Sequence, residues 1–184
     1  NFMTYGVILS NTKDLLIGAS VANNGVCLTV TKIEDDVVYF DIMQETLKVT
    51  NLSNVRENDL VNIERSMVFG SEIGGHILSG HILTTIEVKD IVKTPTNTTF
   101  IFDLYTTSVD IRKYIFQKGF IALNGASLTL NVIDNNTFQI HFIPETLVKT
   151  TFGQSKVGDK INLEVDSQTV SIVETVENFL SKNR

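Results

Sequence analysis

The chain has 184 residues, 42% of them hydrophobic and 20% charged, a composition typical of a globular protein with a buried core. Its formal net charge is −6 and its Lys and Arg residues form no run, so nucleic acid is not expected as a partner. No apolar stretch reaches the roughly 18 residues of a membrane span, so no membrane partner is expected. The single cysteine excludes an intrachain disulfide.

In chain order, the first feature is a repeat. Residues 22–64 align with residues 122–164 without a gap, and 13 of the 43 aligned positions are identical. Two copies of this length indicate two domains of one fold that arose by duplication, because a solenoid needs several short units. The second copy has an upstream segment, "GHILTTIEV", whose counterpart would precede Asn1. We therefore expect a further N-terminal strand outside this sequence.

Each copy is rich in short β-forming segments such as "VCLTVTKI" and "TFQIHFI". Asp35-Asp36 and Asn135-Asn136 separate two such segments, and both residue types tolerate the positive φ of tight hairpins. Asn24-Gly25 and Asn124-Gly125 predict a second turn in each copy. The pattern predicts a small antiparallel barrel for each copy, since closure removes exposed edges.

Two segments depart from the β pattern. Ser108–Gly119 predicts a short helix or turn that Ser108 could cap and Gly119 could end. At the C-terminus, apolar residues near heptad spacing predict a helix: Val170, Val173, Val176 and Leu180. This helix could dock on its own barrel or pair with other copies of the chain, and we favour pairing.

The duplicated polar residues indicate where a ligand could bind. Turn chemistry explains Asn-Gly, but it explains the matched Thr and Glu residues less well. A ligand site in each barrel would explain both, and backbone and hydroxyl groups suit a neutral heterocycle or a polyol better than a phosphate. "GSEIGG" does not fit a dinucleotide fingerprint, and His76, His81 and His141 lack nearby thiol or carboxylate ligands, so no metal site is expected.

The histidines of "GGHILSGH" could be structural or could transfer protons. Cys27 and its partner Ser127 could be small packing residues or nucleophiles. Spacing alone assigns no triad.

Several segments together resemble riboflavin synthase of the trimeric bacterial type: "NGVCLTVT", "VNIERSM", "GSEIGGHILSGH", "KYIFQKGFIALNGASLTL" and "IPETLVKTTFG". The resemblance covers nearly the whole chain. It implies an all-β protein with two tandem six-stranded antiparallel Greek-key barrels related by internal duplication, plus a C-terminal α-helix. The implied domains are a lumazine-binding barrel at 1–76, a second at 77–168, and a trimerisation helix at 169–184.

The resemblance also implies the reaction. Two molecules of 6,7-dimethyl-8-ribityllumazine undergo dismutation by four-carbon transfer, which gives riboflavin and 5-amino-6-ribitylamino-2,4(1H,3H)-pyrimidinedione. No cofactor or metal is implied. The implied assembly is a cytoplasmic homotrimer with active sites between subunits and a functional link to lumazine synthase.

The motifs carry site residues onto this chain. The implied catalytic group is His81, Ser127, Cys27 and Asp166. We expect His81 and Ser127 to handle protons or the nucleophile, Asp166 to polarise them, and Cys27 to lie beside the acceptor ring. The implied substrate-binding residues are Ser20, Ala22, Thr29, Asp41, Met43, Thr46, Lys118, Ala122, Thr129, Ile143 and Thr146. The alternative is a non-catalytic lumazine- or flavin-binding antenna protein, which typically lacks the reactive residues that are present here.

Overall fold

The computed structural model describes residues 2–183, which form two antiparallel sheets and three α-helices. The strands of the first sheet are β1 (Phe2–Ile8), β2 (Ser20–Asn23), β3 (Val26–Glu34), β4 (Val37–Met43) and β5 (Ile63–Arg65). The strands of the second are β6 (Thr84–Lys93), β7 (Thr98–Asp103), β8 (Phe120–Leu123), β9 (Ala126–Thr129), β10 (Val132–Ile133), β11 (Thr137–Phe142) and β12 (Lys160–Val165). The helices are α1 (Gln44–Val49), α2 (Pro144–Lys149) and α3 (Ser167–Lys182).

The second sheet closes into a barrel. Its strand order is β10-β11-β7-β6-β12-β8-β9, and the outermost segments β9 and β10 follow each other in the chain. They therefore act as one bent strand that joins both ends of the sheet, which makes six strands in all. The first sheet has the order β1-β4-β3-β2-β5. It is open between β1 and β5, where the second barrel has β6.

The sequence repeat returns as a structural repeat, which confirms the predicted fold class. Helices α1 and α2 begin 100 residues apart, and β2, β3 and β4 match β8, β9 and β11 at the same offset. Asn24 (φ 45°) and Asn124 (φ 45°) form equivalent left-handed turns with the glycines that follow them. Asp35 also has positive φ, at 53°.

The second hairpin is built differently from the prediction. Asn135 and Asn136 are not among the residues with positive φ. Instead Asp134 Oδ1 accepts hydrogen bonds from the backbone N–H groups of Asn136 and Thr137, each at 2.7 Å. In this Asx turn the hydrogen bonds to the Asp134 side chain stabilise the hairpin, whereas the first hairpin uses the positive φ of Asp35.

The two barrels meet at their Asn-Gly turns. A Cβ atom placed on Gly25 would lie 2.6 Å from the backbone nitrogen of Gly125, so only glycine allows this approach. Asn51 Nδ2 donates to Asn124 Oδ1 at 3.0 Å across the same interface. The conformational freedom of these glycines therefore serves contact between the barrels as well as the turns themselves.

The turn predicted within Ser108–Gly119 is present, but Ser108 does not cap it. Ser108–Gly119 contains one 3-10 turn at Arg112–Tyr114, and it buries Ile111 and Tyr114 against the second barrel. The Ser108 hydroxyl lies 3.0 Å from Thr84 Oγ1 and does not cap the turn. The expectation that Ser108 caps this segment is wrong, because its hydroxyl pairs with a strand residue.

Helix α3 divides its apolar residues between two environments. Val170 and Val173 pack against the core of the second barrel, and Lys113 Nζ approaches Glu174 Oε1 at 2.8 Å. Four large apolar side chains of the helix remain exposed: Ile172, Val176, Phe179 and Leu180. Docking on the chain's own barrel therefore accounts for the beginning of the stripe only. Within residues 2–183 no helix is long and apolar enough to cross a bilayer.

Candidate active site

The barrel interiors are filled, so ligand chemistry must lie on their outer surfaces. Phenylalanine rings pack at the centre of the second barrel, with the centroids of Phe142 and Phe152 4.6 Å apart. Along β3 the pattern alternates, with Leu28 and Val30 buried and Cys27 and Thr29 exposed. Successive strand residues point to opposite faces, so Cys27 and Thr29 share the outward face.

Most of the predicted residues of the first barrel form two rows on that outward face. The strand register places Ser20 opposite Thr29 and Ala22 opposite Cys27. Asp41 and Met43 continue the rows on β4, where Asp41 lies opposite Thr4. Thr4 Oγ1 donates a hydrogen bond to Asp41 Oδ1 at 2.5 Å.

The second barrel repeats these rows, with alanine and threonine kept at two positions and other side chains changed. Phe120 lies opposite Thr129, and Ala122 lies opposite Ser127. His141 takes the position of Asp41, and its Nδ1 lies 2.8 Å from Thr99 Oγ1. From the sequence, His141 stands out only as a possible metal ligand, and Thr4 and Thr99 do not stand out at all. Its offset of 100 from Asp41 was the signal that places His141 in the row.

A cleft of about 460 Å³ lies between the first barrel and the segment that links the barrels. Ser20, Ala22 and Cys27 line it from the first barrel, and Ser127 lines it from the second. The rest of the lining comes from Glu64, Gly25, Gly125 and residues between 65 and 80. A single chain therefore brings the Cys27 thiol and the Ser127 hydroxyl to one cavity.

The segment between β5 and β6, residues 66–83, is called the linker here, and it is hydrogen-bonded to both barrels in front of this cleft. The Glu164 carboxylate, which is 4% exposed, accepts hydrogen bonds from Ser79 N and Ser79 Oγ at 2.7 Å each and from Gly80 N at 3.1 Å. On the other side, Cys27 N donates to Gly80 O at 3.0 Å. His81 follows this anchor directly, is exposed, and is not among the residues that line the cleft.

His76, and not His81, is the histidine in contact with Ser127. Its Nδ1 lies 2.7 Å from Ser127 Oγ, and its backbone N–H donates to the same oxygen at 3.2 Å. The imidazole stacks on Phe120 with ring centroids 5.1 Å apart. Burial lowers the pKa of His76 below its usual 6.5, although the charges of Asp166 and Glu164 act in the opposite direction.

Asp166 connects this cluster to helix α3. Its Oδ2 accepts from Thr169 N at 2.9 Å and from Thr169 Oγ1 at 2.7 Å, so it caps the helix. Burial works to raise the pKa of Asp166, but the hydrogen bonds from Thr169 outweigh it and the pKa is lowered. The carboxylate therefore stays ionised near neutral pH and places a negative charge near His76.

Lys118 sits in a backbone conformation that side chains rarely adopt. Its φ is 66°, and the equivalent residue in the first barrel is Gly18 with φ 89°. A lysine at a position where the other barrel has glycine costs conformational energy.

The remaining predicted residues lie outside the cleft in the described part of the chain. Thr46 and Thr146 stand in α1 and α2, where their carbonyls accept from the hydroxyls of Thr50 and Thr150 at 2.7 and 2.6 Å. Thr29, Thr129 and Ile143 are exposed, as are Asp41, Met43 and Lys118, whereas Ala122 is buried.

Comparison with known proteins identifies the family and the fold. A family model described as the lumazine binding domain matches residues 5–66 and 79–166, one match in each barrel. Two solved structures of LumP share the fold. The complex with riboflavin has a TM-score of 0.81 at 24% identity, covering 90% of this chain and 89% of that one. The complex with 6,7-dimethyl-8-(1'-D-ribityl) lumazine has a TM-score of 0.79 at 23% identity, with the same coverage.

Three curated relatives are similar over nearly the full chain, and all are named riboflavin synthase. The protein of Escherichia coli (strain K12) is 46% identical over 98% of this chain and 85% of its own length. That of Buchnera aphidicola subsp. Schizaphis graminum (strain Sg) is 47% identical over 100% of this chain and 88% of its own. That of Chlamydia pneumoniae is 41% identical over 92% and 81%. With a lumazine binding domain in each half, the chain belongs to the riboflavin synthase family.

Proposed function

We propose that the chain catalyses the dismutation of two 6,7-dimethyl-8-ribityllumazine molecules by four-carbon transfer. The products are riboflavin and 5-amino-6-ribitylamino-2,4(1H,3H)-pyrimidinedione, and the enzyme is a transferase that needs no cofactor or metal. One observation carries the proposal: each barrel presents equivalent rows of outward side chains at an offset of 100 residues. A reaction between two identical molecules needs two similar binding faces, and the duplication supplies them.

Each barrel holds one of the two substrate molecules. A barrel at 1–76 holds one substrate through Ser20, Ala22, Thr29, Asp41, Met43 and Thr46. A barrel at 77–168 holds the other through Lys118, Ala122, Thr129, Ile143 and Thr146. The asymmetry between Asp41 and His141, and between Gly18 and Lys118, supports different roles for the two molecules. The first face carries a carboxylate, whereas the second carries a cation and an imidazole.

The reacting groups are Cys27, His81, Ser127 and Asp166. Ser127 and His81 handle protons or supply the nucleophile in the second barrel, and the ionised Asp166 polarises this group. Cys27 lies beside the acceptor ring. The cleft that holds Cys27 and Ser127 has the volume of an ordinary small-molecule site. Holding the two rings in contact would lower the barrier by proximity, because the encounter is no longer bimolecular.

We also propose a homotrimer with active sites between subunits, in the cytoplasm. The exposed apolar residues of helix α3 support association because such side chains are best buried against partners. Since the substrate is a lumazine, a lumazine-forming enzyme must supply it, which is the basis of the proposed link to lumazine synthase.

The test is turnover without added cofactor or metal. Purified protein is mixed with 6,7-dimethyl-8-ribityllumazine in the presence of a metal chelator, and riboflavin formation is followed by absorbance. We expect steady riboflavin formation, large losses in Ser127→Ala, His81→Ala and Cys27→Ala, and no loss in Asn135→Ala on a distant exposed hairpin. Tight binding without turnover would overturn the enzyme proposal and favour an antenna protein.

A further inference from the structure

The contact between His76 Nδ1 and Ser127 Oγ can run in either direction, and the bonds around it favour one of them. The backbone N–H of His76 already donates to Ser127 Oγ, so one lone pair of that oxygen is occupied. The Ser127 hydroxyl is then free to donate its own proton to His76 Nδ1, 2.7 Å away. In this arrangement the imidazole carries its proton on Nε2 and acts as the acceptor.

The surroundings of the ring hold it in place. Phe120 stacks against it at an interplanar angle of 18°. Gly75, directly before it, has φ 83°, and a Cβ atom there would lie 2.2 Å from Ser127 Oγ. The chain can pass this close to Ser127 only because position 75 is glycine, which brings the next residue's ring onto the hydroxyl.

One nitrogen of the His76 ring lacks the hydrogen bond expected of a buried polar atom. His76 Nε2 is buried and has no hydrogen-bond partner within residues 2–183. A buried unsatisfied polar atom costs free energy, so it persists where another requirement outweighs the cost. Two carboxylates act on the ring, Asp166 at the start of α3 and Glu164 on β12, while burial favours its neutral form. A neutral imidazole is the form that can accept a proton.

Within residues 2–183 the first barrel shows no equivalent arrangement. Cys27 takes the place of Ser127, and its backbone N–H donates to the carbonyl oxygen of Gly80 in the linker at 3.0 Å. A thiol gives up its proton more readily than a hydroxyl does. An added base is therefore needed only beside the serine, which is where the structure has one.

We propose that His76 is a positioning residue that orients the Ser127 hydroxyl and accepts its proton. When the Ser127 oxygen gives up its proton, the proton passes to Nδ1 and His76 becomes an imidazolium, and the same proton returns when the hydroxyl is restored. No other reactant is consumed. This inference rests on the proposed function, because it gives a partner to a serine placed in that reaction.

Three variants of His76 distinguish the contribution of its hydrogen-bond acceptor from that of its stacked ring. His76→Phe keeps the stack on Phe120 but removes the acceptor, His76→Asn keeps an acceptor near the Nδ1 position, and His76→Gln places one near Nε2. We expect kcat to fall at least about tenfold in His76→Phe, since general-base partners commonly contribute 10²–10⁴-fold. KM and melting temperature should change little. His76→Asn should retain more kcat than His76→Gln.

Two readouts distinguish positioning from a structural role. In a double-mutant cycle, Ser127→Ala with His76→Phe should be no slower than Ser127→Ala alone, because the two residues act together. In the wild type, kcat should fall as pH drops through the lowered pKa of His76, and His76→Asn should lack that decline. Additive losses, or a fully active His76→Phe, would overturn the proposal.

The tautomer of His76 gives a test that does not depend on turnover. Nitrogen-15 NMR of the imidazole should find the proton on Nε2 in the wild type, and a proton on Nδ1 would contradict the inference. If the wild-type protein forms no riboflavin, the proposed function fails, while this measurement still decides the role of His76 toward Ser127.

Discussion

Asn62 and Asn162 make the same hydrogen bond in opposite directions across the interface between the barrels. Asn62 Nδ2 donates to the backbone oxygen of Asn124, and Asn162 Nδ2 donates to the backbone oxygen of Asn24, each at 2.9 Å. The backbone oxygens of Asn24 and Asn124, in the two Asn-Gly turns, thus accept hydrogen bonds from the other barrel. Part of the duplicated polar pattern therefore serves the joint between the barrels and not a ligand.

Replacing Asn162 with alanine should destabilise the protein. Asn162 is fully buried, and its Oδ1 also accepts from Asn51 N at 2.6 Å. The substitution leaves a buried N–H and a buried carbonyl without partners, so we expect a loss of about 2–3 kcal/mol in the free energy of unfolding. Urea denaturation measures it. Asn135→Ala, on an exposed hairpin, is the control and should change stability little. A small effect at Asn162 would mean that the interface does not contribute to folding stability.

The arrangement of strands could be read from the sequence because the repeat and the alternating apolar positions both report on the same barrel. Positions 22–64 and 122–164 carry the matched turns and helices where the offset of 100 places them. The Ser108 cap failed because the partner of that hydroxyl, Thr84, lies on another strand. Local patterns describe local turns well, and they cannot describe a bond to a distant strand.

The candidate site residues come from the resemblance, whereas the pairing of Ser127 with His76 could not be predicted from it. The resemblance pointed to Ser127, Cys27 and Asp166 as site residues, and in the structure Cys27 and Ser127 line one cleft. The partner of Ser127 is His76, 51 residues away, brought there by the path of the linker over the second barrel. That path depends on Glu164, and no periodicity in the linker reveals it.

Replacing Lys118 with glycine should increase stability and weaken substrate binding. With φ at 66°, Lys118 adopts a left-handed conformation that glycine adopts without strain. We expect a gain of up to about 1 kcal/mol in the free energy of unfolding. If the proposed function is correct, the affinity for 6,7-dimethyl-8-ribityllumazine should fall, as measured by titration of ligand fluorescence. Gly18→Ala at the equivalent turn should lose stability. Unchanged binding in Lys118→Gly would remove that residue from the site.

Glu164 should hold the linker, whereas its repeat counterpart Glu64 should not. Glu164→Gln places an amide N–H opposite groups that can only donate, Ser79 N or Gly80 N. We expect a loss of about 1–3 kcal/mol and faster proteolysis of the linker, for example at the exposed Phe69 by chymotrypsin. Glu64→Gln is the matched control, because Glu64 is exposed at the equivalent strand position. Equal effects of the two substitutions would show that the linker contacts are not what stabilises the chain.

The exposed end of helix α3 should be required for self-association. Phe179 is 67% exposed and Leu180 is 56% exposed, although the first turns of the same helix are packed on the second barrel. Phe179→Asp combined with Leu180→Asp should convert the proposed trimer to monomers, because a charge cannot be buried in an apolar contact without a partner. Sedimentation velocity measures the change, and Asn178→Asp, which alters a polar position of the same helix, should leave the trimer intact. If active sites lie between subunits, kcat should fall with dissociation and recover at high protein concentration. A monomeric wild-type protein with full activity would contradict both the trimer and the shared site, and would assign the reaction to the cleft of a single chain.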